Sequence, residues 1–392
     1  MRLVSPCTRS QRRLPSQRVP ATIQNMTQKI PIPWWTVAAP LVGWGLLALH
    51  FTASAGSMAA SSAWFAALLA VALIACVLAA VHHAEVVAHR VGEPYGTFLL
   101  ALAVTVIEVG LIVSLMISGG AATTALARDT VFAAVMIILN GIVGLCLLLG
   151  AHRHHEQTFT LAGVSASLAT LAAIVTLTLV LPNYTLTTPG PVYSASQLGF
   201  IAVVSLVLYG TFVVVQTVRH RDYFLPGNAS GDADAHAVRP AARTALISTV
   251  LLLGCLGAVV LIGKSLAPRI EQVVASLGAP TALVGIIIAA VVLLPEGLAA
   301  VRAARANRLQ TSLNLALGSA LATIGLTIPA VAIVSLATGW TLTLGIDLKS
   351  TVLLMLSLMV ATLSLGTGRT TVLQGVVHLV IFAVYLFTTI VP

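Results

Sequence analysis

The segment YGTFLLALAVTVIEVGLIVSLMIS, from Tyr95 to Ser118, contains one charged side chain, Glu108, near its centre. A run of about 20 apolar residues is long enough to cross a bilayer as an α-helix. An acid at that depth costs about 3 kcal/mol on insertion scales, so such residues are rare and usually mark an ion or proton pathway. The segment therefore predicts a membrane helix that carries one functional carboxyl group.

The composition of the whole chain is that of an integral membrane protein. Charged residues make up 8% of the 392 residues, against about 25% in ordinary globular domains, and the mean hydropathy is +1.02. The net charge of +9 is spread over short loops, which favours membrane orientation over nucleic-acid binding. The four cysteines are far apart and three lie in apolar runs, so they indicate neither a disulfide framework nor a cysteine-ligated metal.

Eleven apolar runs are long enough to cross a membrane, and the tenth is the shortest. They extend from Trp34 to Phe51, Ser62 to Val81, Tyr95 to Ser118, Thr130 to Gly150, Thr158 to Leu181, Gln197 to Val218, Thr244 to Gly263, Thr281 to Ala300, Ser312 to Leu336, Ser350 to Leu365 and Thr371 to Ile390. We therefore predict an all-α integral membrane protein of about 11 transmembrane helices.

The basic residues predict the orientation of these helices. With the N-terminus in the cytoplasm, 16 of the 20 Lys and Arg residues fall on the cytoplasmic side, where such residues accumulate. The exceptions are Arg128, Lys264, Arg269 and Lys349. This asymmetry predicts a multi-pass protein of the plasma (inner) membrane. The Arg-rich tail, residues 1–33, is expected to be a disordered cytoplasmic extension, and translation could start at Met1 or Met26.

An internal repeat divides the membrane region into two halves. EVVAHRVGEPYG, from Glu85 to Gly96, aligns without a gap to EQVVASLGAPTA, from Glu271 to Ala282, with identical Glu, Val, Gly and Pro residues. Each block precedes a span with one central acid, Glu108 in one half and Glu296 in the other. The charge count places Glu85 inside and Glu271 outside, so the halves are predicted to be inverted copies. The predicted organisation is a tail (1–33), a first helix and loop (34–61), a first five-helix repeat (62–218), a cytoplasmic linker (219–243) and a second five-helix repeat (244–392).

The two matched acids predict a shared cation and proton site. Hard cations take oxygen ligands, and Ca²⁺ prefers several carboxylates and carbonyls. Burial and a like-charged neighbour both favour the protonated carboxyl, so protons can compete with a cation at the same place. Pro295, just before Glu296, is expected to break or kink its helix, because proline removes a backbone donor. The alternative is a protonated glutamate that only hydrogen-bonds to a neighbouring helix, which two acids at equivalent positions make less attractive.

Polar side chains on the third span of each half are candidate ligands. Ser319, Thr323 and Thr327 recur at helical spacing on one face, and Asn140 occupies the corresponding span of the first half. Small and hydroxyl residues are also common where membrane helices pack closely. Ligation and packing are balanced for Ser319 and Asn140, and packing is favoured for Thr323 and Thr327. Thr105, one turn before Glu108, is expected to support that side chain, as Pro295 and Thr323 support the site.

Other polar features carry less functional information. Eight of the ten histidines lie in loops or at span ends, as interfacial histidines do, and nothing in the sequence supplies a partner for His378 within the last span. Gly257 to Ser265 has the wrong glycine spacing for a phosphate-binding loop, and His83 to His89 is not a zinc-protease motif. The glycine spacing therefore does not predict a nucleotide-driven pump. We do not predict an enzyme either, since no His, Asp and Glu ligand set can be assembled at one depth.

Two segments resemble the inverted α-repeats of the calcium/proton exchangers, within the calcium:cation antiporter superfamily. These are VGEPYGTFLLALAVTVIEVGLIVS (Val91 to Ser114) and LLPEGLAAVRAARANRLQTSLNLALGSALATIGLTIP (Leu293 to Pro329), and the resemblance extends from about Ser62 to Ile390. It is strongest with bacterial ChaA-type members. The resemblance implies that the essential cation-binding acids are Glu108 and Glu296, that further metal ligands come from Ser319 and Asn140, and that Glu85 and Glu271 lie near the mouths of the pathway.

The expected function is secondary cation/proton antiport by alternating access. The resemblance implies Ca²⁺ as cargo. VTVIE and LLPEG replace the GNATE and GNAAE motifs of plant and fungal relatives, as in ChaA-type members, so the resemblance also implies Na⁺ or K⁺ as further cargo. The expected partners are the lipid bilayer, inorganic cations and protons, with no nucleic acid, no nucleotide and no cofactor. An uncoupled cation channel or proton-leak pore is the alternative, and the oligomeric state, including a homo-oligomer, stays open.

Overall fold

The computed structural model describes residues 32–53, 62–92, 95–119, 123–224 and 240–391. Almost all of the tail predicted to be disordered (1–33) and most of the predicted linker (219–243) lie outside these ranges. The described chain is helical apart from short loops, two-residue strands and an isolated bridge.

Twelve α-helices and a two-stranded sheet follow one another along the described chain. The helices are α1 (Trp34–Ala53), α2 (Ala63–Val91), α3 (Tyr95–Gly119), α4 (Leu126–Met136), α5 (Val143–His154), α6 (Leu161–Val175), α7 (Ala195–Val214), α8 (Ala242–Ser276), α9 (Ala282–Arg305), α10 (Leu309–Thr338), α11 (Leu348–Leu365) and α12 (Val372–Ile390). A π-helical turn (Ile137–Ile142) joins α4 to α5 in one continuous span, and further π-turns extend α6 (Thr176–Val180) and α7 (Val215–Arg219). The strands are β1 (Gln157–Thr158) and β2 (Arg369–Thr370).

The number of membrane-crossing helices matches the prediction. Among the described residues, ten helical spans are long and apolar enough to cross a bilayer, with α4, the π-turn and α5 counted as one. Helix α3 contains 25 residues, which at 1.5 Å per residue extend about 37 Å and supply the eleventh crossing. The all-α architecture of about 11 transmembrane helices, with one N-terminal helix and two five-helix repeats, is confirmed.

The first helix of each repeat is longer than its apolar run. Helix α2 continues ten residues past the predicted end at Val81, and α8 continues to Ser276, past the predicted end at Gly263. Each helix stops just before a glycine with a positive φ, 81° at Gly92 and 65° at Gly278. Such a backbone conformation ends helices and favours glycine. The repeated glycine, rather than the end of the hydrophobic run, therefore sets the length of both helices.

The two repeats pack against each other through matching pairs of helices. Helix α3 packs on α10 while its counterpart α9 packs on α4, and α5 packs on α12 while its counterpart α10 packs on α7. The most extensive pairing joins α2 to α8, the first helices of the two repeats. Helix α1 lies against this pair, where the indole of Trp44 donates to the Gly254 carbonyl at 3.0 Å. Each half therefore completes its packing only with helices of the other.

Loops predicted to share a side of the membrane are joined in the structure. At one end, β1 pairs antiparallel with β2, the His154 ring contacts the Arg305 carbonyl at 3.0 Å, and Arg90 donates to Pro240. We call this the arginine-rich end. At the opposite end, Arg128 donates to the Gly345 carbonyl at 3.0 Å and Asn183 donates to the Ile346 carbonyl at 2.7 Å. Successive loops therefore alternate between two ends, as helices that each cross the membrane once require.

Candidate cation site

Glu108 lies near the middle of α3 and is sealed from the surface. Its side chain is 2% exposed, and the hydroxyl groups of Thr323 and Thr327 on α10 lie against its carboxyl group. No hydrogen-bond partner within the described residues reaches Oε2 of Glu108 or the Thr327 hydroxyl. A buried polar atom without a partner is costly, so this oxygen is available to a proton or a cation.

Glu296 lies at the corresponding place on α9 and is half-buried. Its carboxyl group interacts with its own backbone, and its Oε2 is buried with no hydrogen-bond partner in the described part of the chain. The helix is unbroken from Ala282 to Arg305, although it contains Pro295. The helix is therefore not broken at Pro295, and a kink there stays a prediction. Proline removes only the bond to the Val291 carbonyl, and the surrounding turns hold the helix together.

The fold brings the two predicted acids together from opposite halves of the chain. Glu296 lies within electrostatic range of Glu108 and also of Glu85, an exposed residue near the end of α2. Glu85 in turn interacts with Arg302 and His89. The acids therefore form a short series from the arginine-rich end to the buried Glu108.

The other wall of the site is apolar. On the side of the two acids away from the arginine-rich end, a cleft between α2, α3, α8 and α9 is lined almost entirely by carbon atoms, including Leu111, Leu115, Val284 and Ile288. Helices α3 and α8 approach closely there. Gly263 has no side chain, and Leu111 occupies the space that its Cβ would fill. Ions would meet polar groups on one side of the acids and hydrocarbon on the other.

The remaining predicted site residues are placed less uniformly. Thr105 is buried on α3 one turn before Glu108, and Ser319 is half-buried on α10 one turn before Thr323. Asn140 is fully buried, but its amide hydrogen-bonds to Ser357 and His378 on α11 and α12. Glu271 is exposed near the end of α8, on the side opposite the arginine-rich end. Ligand roles for Asn140 and Ser319 stay predictions.

Two sets of residues have polar neighbours that the sequence did not predict. Thr323 and Thr327, for which packing was favoured, face Glu108, and their spacing of one turn beside Ser319 was the available signal. His378, which had no predicted partner, lies in a buried hydrogen-bond network. Within the described residues, no group of three or more His, Cys, Asp or Glu side chains could hold a metal ion. A cation at the two acids would need hydroxyl, carbonyl or water oxygens to complete its shell.

The sequence also matches a known family over most of its length. The family model for the sodium/calcium exchanger protein matches residues 61–218 and 247–391. The chain belongs to the sodium/calcium exchanger protein family. This exchanger is 49% identical over 361 residues to a Sinorhizobium fredii protein described as an ionic transporter, y4hA, with 92% of this chain and 97% of that protein aligned. It is 38% identical over 320 residues to the sodium-potassium/proton antiporter ChaA of Escherichia coli, covering 81% of this chain and 86% of ChaA.

Solved structures share the fold of this exchanger. Native YfkE aligns with a TM-score of 0.69 at 18% identity, covering 90% of this chain and all of YfkE. The H⁺/Ca²⁺ exchanger CAX aligns with a TM-score of 0.66 at 14% identity, covering 91% of this chain and 89% of CAX. Family membership and the membrane-spanning fold make the protein a cation antiporter rather than an enzyme.

Proposed function

We propose that the protein exchanges cations for protons across the cytoplasmic membrane, with its N-terminus in the cytoplasm. Glu108 and Glu296 form the site that a cation and protons occupy in turn. One observation carries the proposal, namely that two acids from opposite repeats lie within electrostatic range of each other inside the bundle, each with a buried Oε2 that has no hydrogen-bond partner among the described residues.

Charge balance supports exchange at one shared site. Two ionised carboxylates carry two negative charges in a medium where isolated charges are strongly disfavoured. One divalent cation, two monovalent cations, or two protons would each neutralise the pair. The site therefore changes accessibility most readily when loaded, which couples the movement of the cation to that of protons.

The donor atoms and the relatives support a choice of cargo. Carboxylate and hydroxyl oxygens suit Ca²⁺, which takes 6–8 oxygen ligands and accepts water among them. ChaA, at 38% identity, is named for sodium, potassium and proton antiport. We propose Ca²⁺ as the principal cargo, with Na⁺ and K⁺ as competing cargo at the same two acids.

The asymmetric walls of the site support an assignment of its accessibility. Polar groups lead from the arginine-rich end to Glu296, whereas the cleft on the opposite side is lined by carbon atoms, which are a barrier to ions. With basic loops in the cytoplasm, this conformation admits ions from the cytoplasmic side. Uptake of the cation there, followed by release outside against entering protons, gives cation efflux.

The direct test is transport in everted membrane vesicles with an imposed pH gradient. A pulse of Ca²⁺, Na⁺ or K⁺ should partly collapse the gradient in wild-type vesicles. Glu108→Gln and Glu296→Gln should each remove this response while the protein stays inserted, because the amide cannot ionise. Glu156→Gln is the matched control, since Glu156 forms an exposed ion pair with Arg369 at 3.4 Å outside the membrane helices. Wild-type transport in either site variant would contradict the two-acid site.

Uphill counterflow separates exchange from a channel. Vesicles preloaded with Ca²⁺ should accumulate protons against a gradient when exchange is coupled. A pore built on the same acids would only dissipate both gradients, and that outcome would replace the antiport proposal with the channel alternative.

A further inference from the structure

The buried hydrogen-bond network around His378 lies outside the proposed cation site. Asn140, Ser357 and His378 are all fully buried, and they belong to the π-turn, α11 and α12 respectively. Asn140 Nδ2 donates to Ser357 Oγ at 2.8 Å, Asn140 Oδ1 lies 3.3 Å from His378 Nδ1, and His378 Nε2 lies 2.8 Å from Ser364 Oγ. Four polar side chains therefore satisfy one another in an apolar region.

The direction of these bonds assigns the tautomer of His378. Ser357 Oγ donates to the Leu353 carbonyl at 2.7 Å, so it accepts from Asn140 Nδ2. The other polar atom of the Asn140 amide, Oδ1, can only accept. His378 Nδ1, which faces it, must therefore carry the hydrogen. His378 Nε2 is then the acceptor for the Ser364 hydroxyl. The network is complete with a neutral imidazole protonated on Nδ1.

The same ring supports the backbone of the π-turn. Val143 N–H bonds to the Ile138 carbonyl, five residues back, whereas an α-helix would use the Leu139 carbonyl. The His378 ring lies beside the Leu139 backbone, and its Nδ1 is 3.3 Å from Oδ1 of Asn140, the next residue of the π-turn. Because Nε2 accepts from Ser364, Nδ1–H is the donor that faces the π-turn, and it donates to Asn140 Oδ1. His378 thus provides a donor where the extra residue of the π-turn deprives a carbonyl of its usual partner.

The π-turn in turn contacts the helix of Glu296. Ile142, its last residue, packs on the bare backbone of Gly297, where a Cβ would lie 3.2 Å from Ile142 Cδ1. Closing the π-turn into a regular helix would remove one residue from the turn and rotate the following segment by about 100°. Ile142 would then move off Gly297. The part of α9 that carries Glu296 would lose this contact, which sets its position.

We propose that His378 is a positioning residue for the cation site. It holds the π-turn of the first repeat open and thereby sets the place of Glu296 through Ile142 and Gly297. This inference rests on the proposed function, because Glu296 must bind the cation for its position to matter. Residues that orient metal ligands from behind typically change metal affinity or activity about 10- to 100-fold when replaced.

The substitutions follow from the two ring nitrogens. His378→Leu removes both polar atoms, and we expect the half-saturating Ca²⁺ concentration to rise about tenfold or more. The amide nitrogen of His378→Asn can stand where Nδ1 does, and it should retain a half-saturating concentration within about threefold of wild type. The longer His378→Gln reaches the Nε2 position and should resemble leucine. Ser364→Ala, which removes only the partner of Nε2, is the matched control and should leave the concentration unchanged.

The measurement is the Ca²⁺ dependence of gradient collapse in everted vesicles, normalised to the inserted protein. A half-saturating concentration in His378→Leu equal to that of wild type would overturn the proposal and leave His378 as a packing residue. If the leucine variant does not accumulate in the membrane, the asparagine and glutamine variants decide, and equal behaviour of the two overturns it. Glu296→Gln, assayed in parallel, separates the two proposals: full transport in that variant refutes the two-acid site, whereas its inactivity beside a normal His378→Leu refutes only the positioning role.

Discussion

The third spans of the two repeats occupy equivalent positions and use their polar residues in opposite ways. In the second repeat, α10 is a continuous helix whose Thr323 and Thr327 hydroxyls face Glu108. In the first repeat, the equivalent span contains a π-turn, and Asn140 points to α11 and α12. Inverted repeats thus produce an asymmetric site, in which Glu108 has hydroxyl neighbours from the other half and Glu296 has the carbon surface of Ile142.

The asymmetry predicts different tolerance of the two acids to shortening. We expect Glu108→Asp to lower exchange about 100-fold, because a carboxyl group withdrawn by more than 1 Å from fixed neighbours is seriously misplaced. Glu296→Asp should lower it about tenfold, since the residue as a whole is only half-buried and water can replace part of the lost contact. Initial rates of Ca²⁺-driven gradient collapse compare the two. Equal losses would indicate that the site is symmetric after all.

Removing a hydroxyl group from α10 tests whether the hydroxyl neighbours of Glu108 contribute to cation binding. Thr323→Val keeps the shape of the side chain but removes the donor beside Glu108. A hydrogen bond to a charged group contributes about 1.5–3 kcal/mol, so the half-saturating cation concentration should rise about 10- to 100-fold. Thr362→Val is the control, because that hydroxyl donates only to the Leu358 carbonyl of its own helix, at 2.8 Å. If both variants behave alike, the hydroxyl groups of α10 serve packing alone.

The fifth helix of each repeat packs closely on the third span of the other repeat, α12 on α5 and α7 on α10. Substitutions at these contacts should have the smallest effect, and on stability alone. A Cβ at Gly375 would meet the backbone of Leu148 on α5, whereas a Cβ at Gly325 would lie 2.8 Å from the side chain of Tyr209 on α7. Gly375→Ala should therefore destabilise the protein by about 1–3 kcal/mol, and Gly325→Ala should cost less, because a side chain can shift more readily than a backbone.

Thermal unfolding in detergent, followed by size-exclusion chromatography, measures both glycine variants. Gly210→Ala on α7, where nothing lies within 4 Å of the added carbon, is the control and should be neutral or stabilising by up to about 1 kcal/mol. A midpoint for Gly375→Ala above that for Gly325→Ala would contradict the packing difference between the two helix pairs.

The features that the sequence predicted are those that hydrophobicity and local backbone geometry determine. The apolar runs identified each membrane helix in the described part of the chain, and the aligned Gly92 and Gly278 mark helix ends in both repeats. The acids stood out because Glu108 and Glu296 are the charged residues in the middle of such runs. Each of these signals is contained in a few neighbouring residues.

The features that escaped prediction depend on contacts between distant segments. The π-turn, with the sequence IILNGI, contains no proline, and its extra residue is supported by His378, which lies on the last helix. The hydroxyl face of α10 was visible in the sequence, but its rotation towards Glu108 is set by packing on α3 and α7. The ends of α2 and α8 were misplaced because the helices outlast their apolar runs.

The contact between Glu108 and α10 also has a consequence for biosynthesis. Ribosomes add about 5–20 residues per second, so Thr323 and Thr327 emerge roughly 10–40 s after Glu108. During that interval the first repeat is already being threaded into the bilayer with an acid whose hydroxyl neighbours do not yet exist. The nascent chain must carry Glu108 into the membrane as a neutral carboxylic acid or shelter it in the insertion machinery until the second repeat arrives.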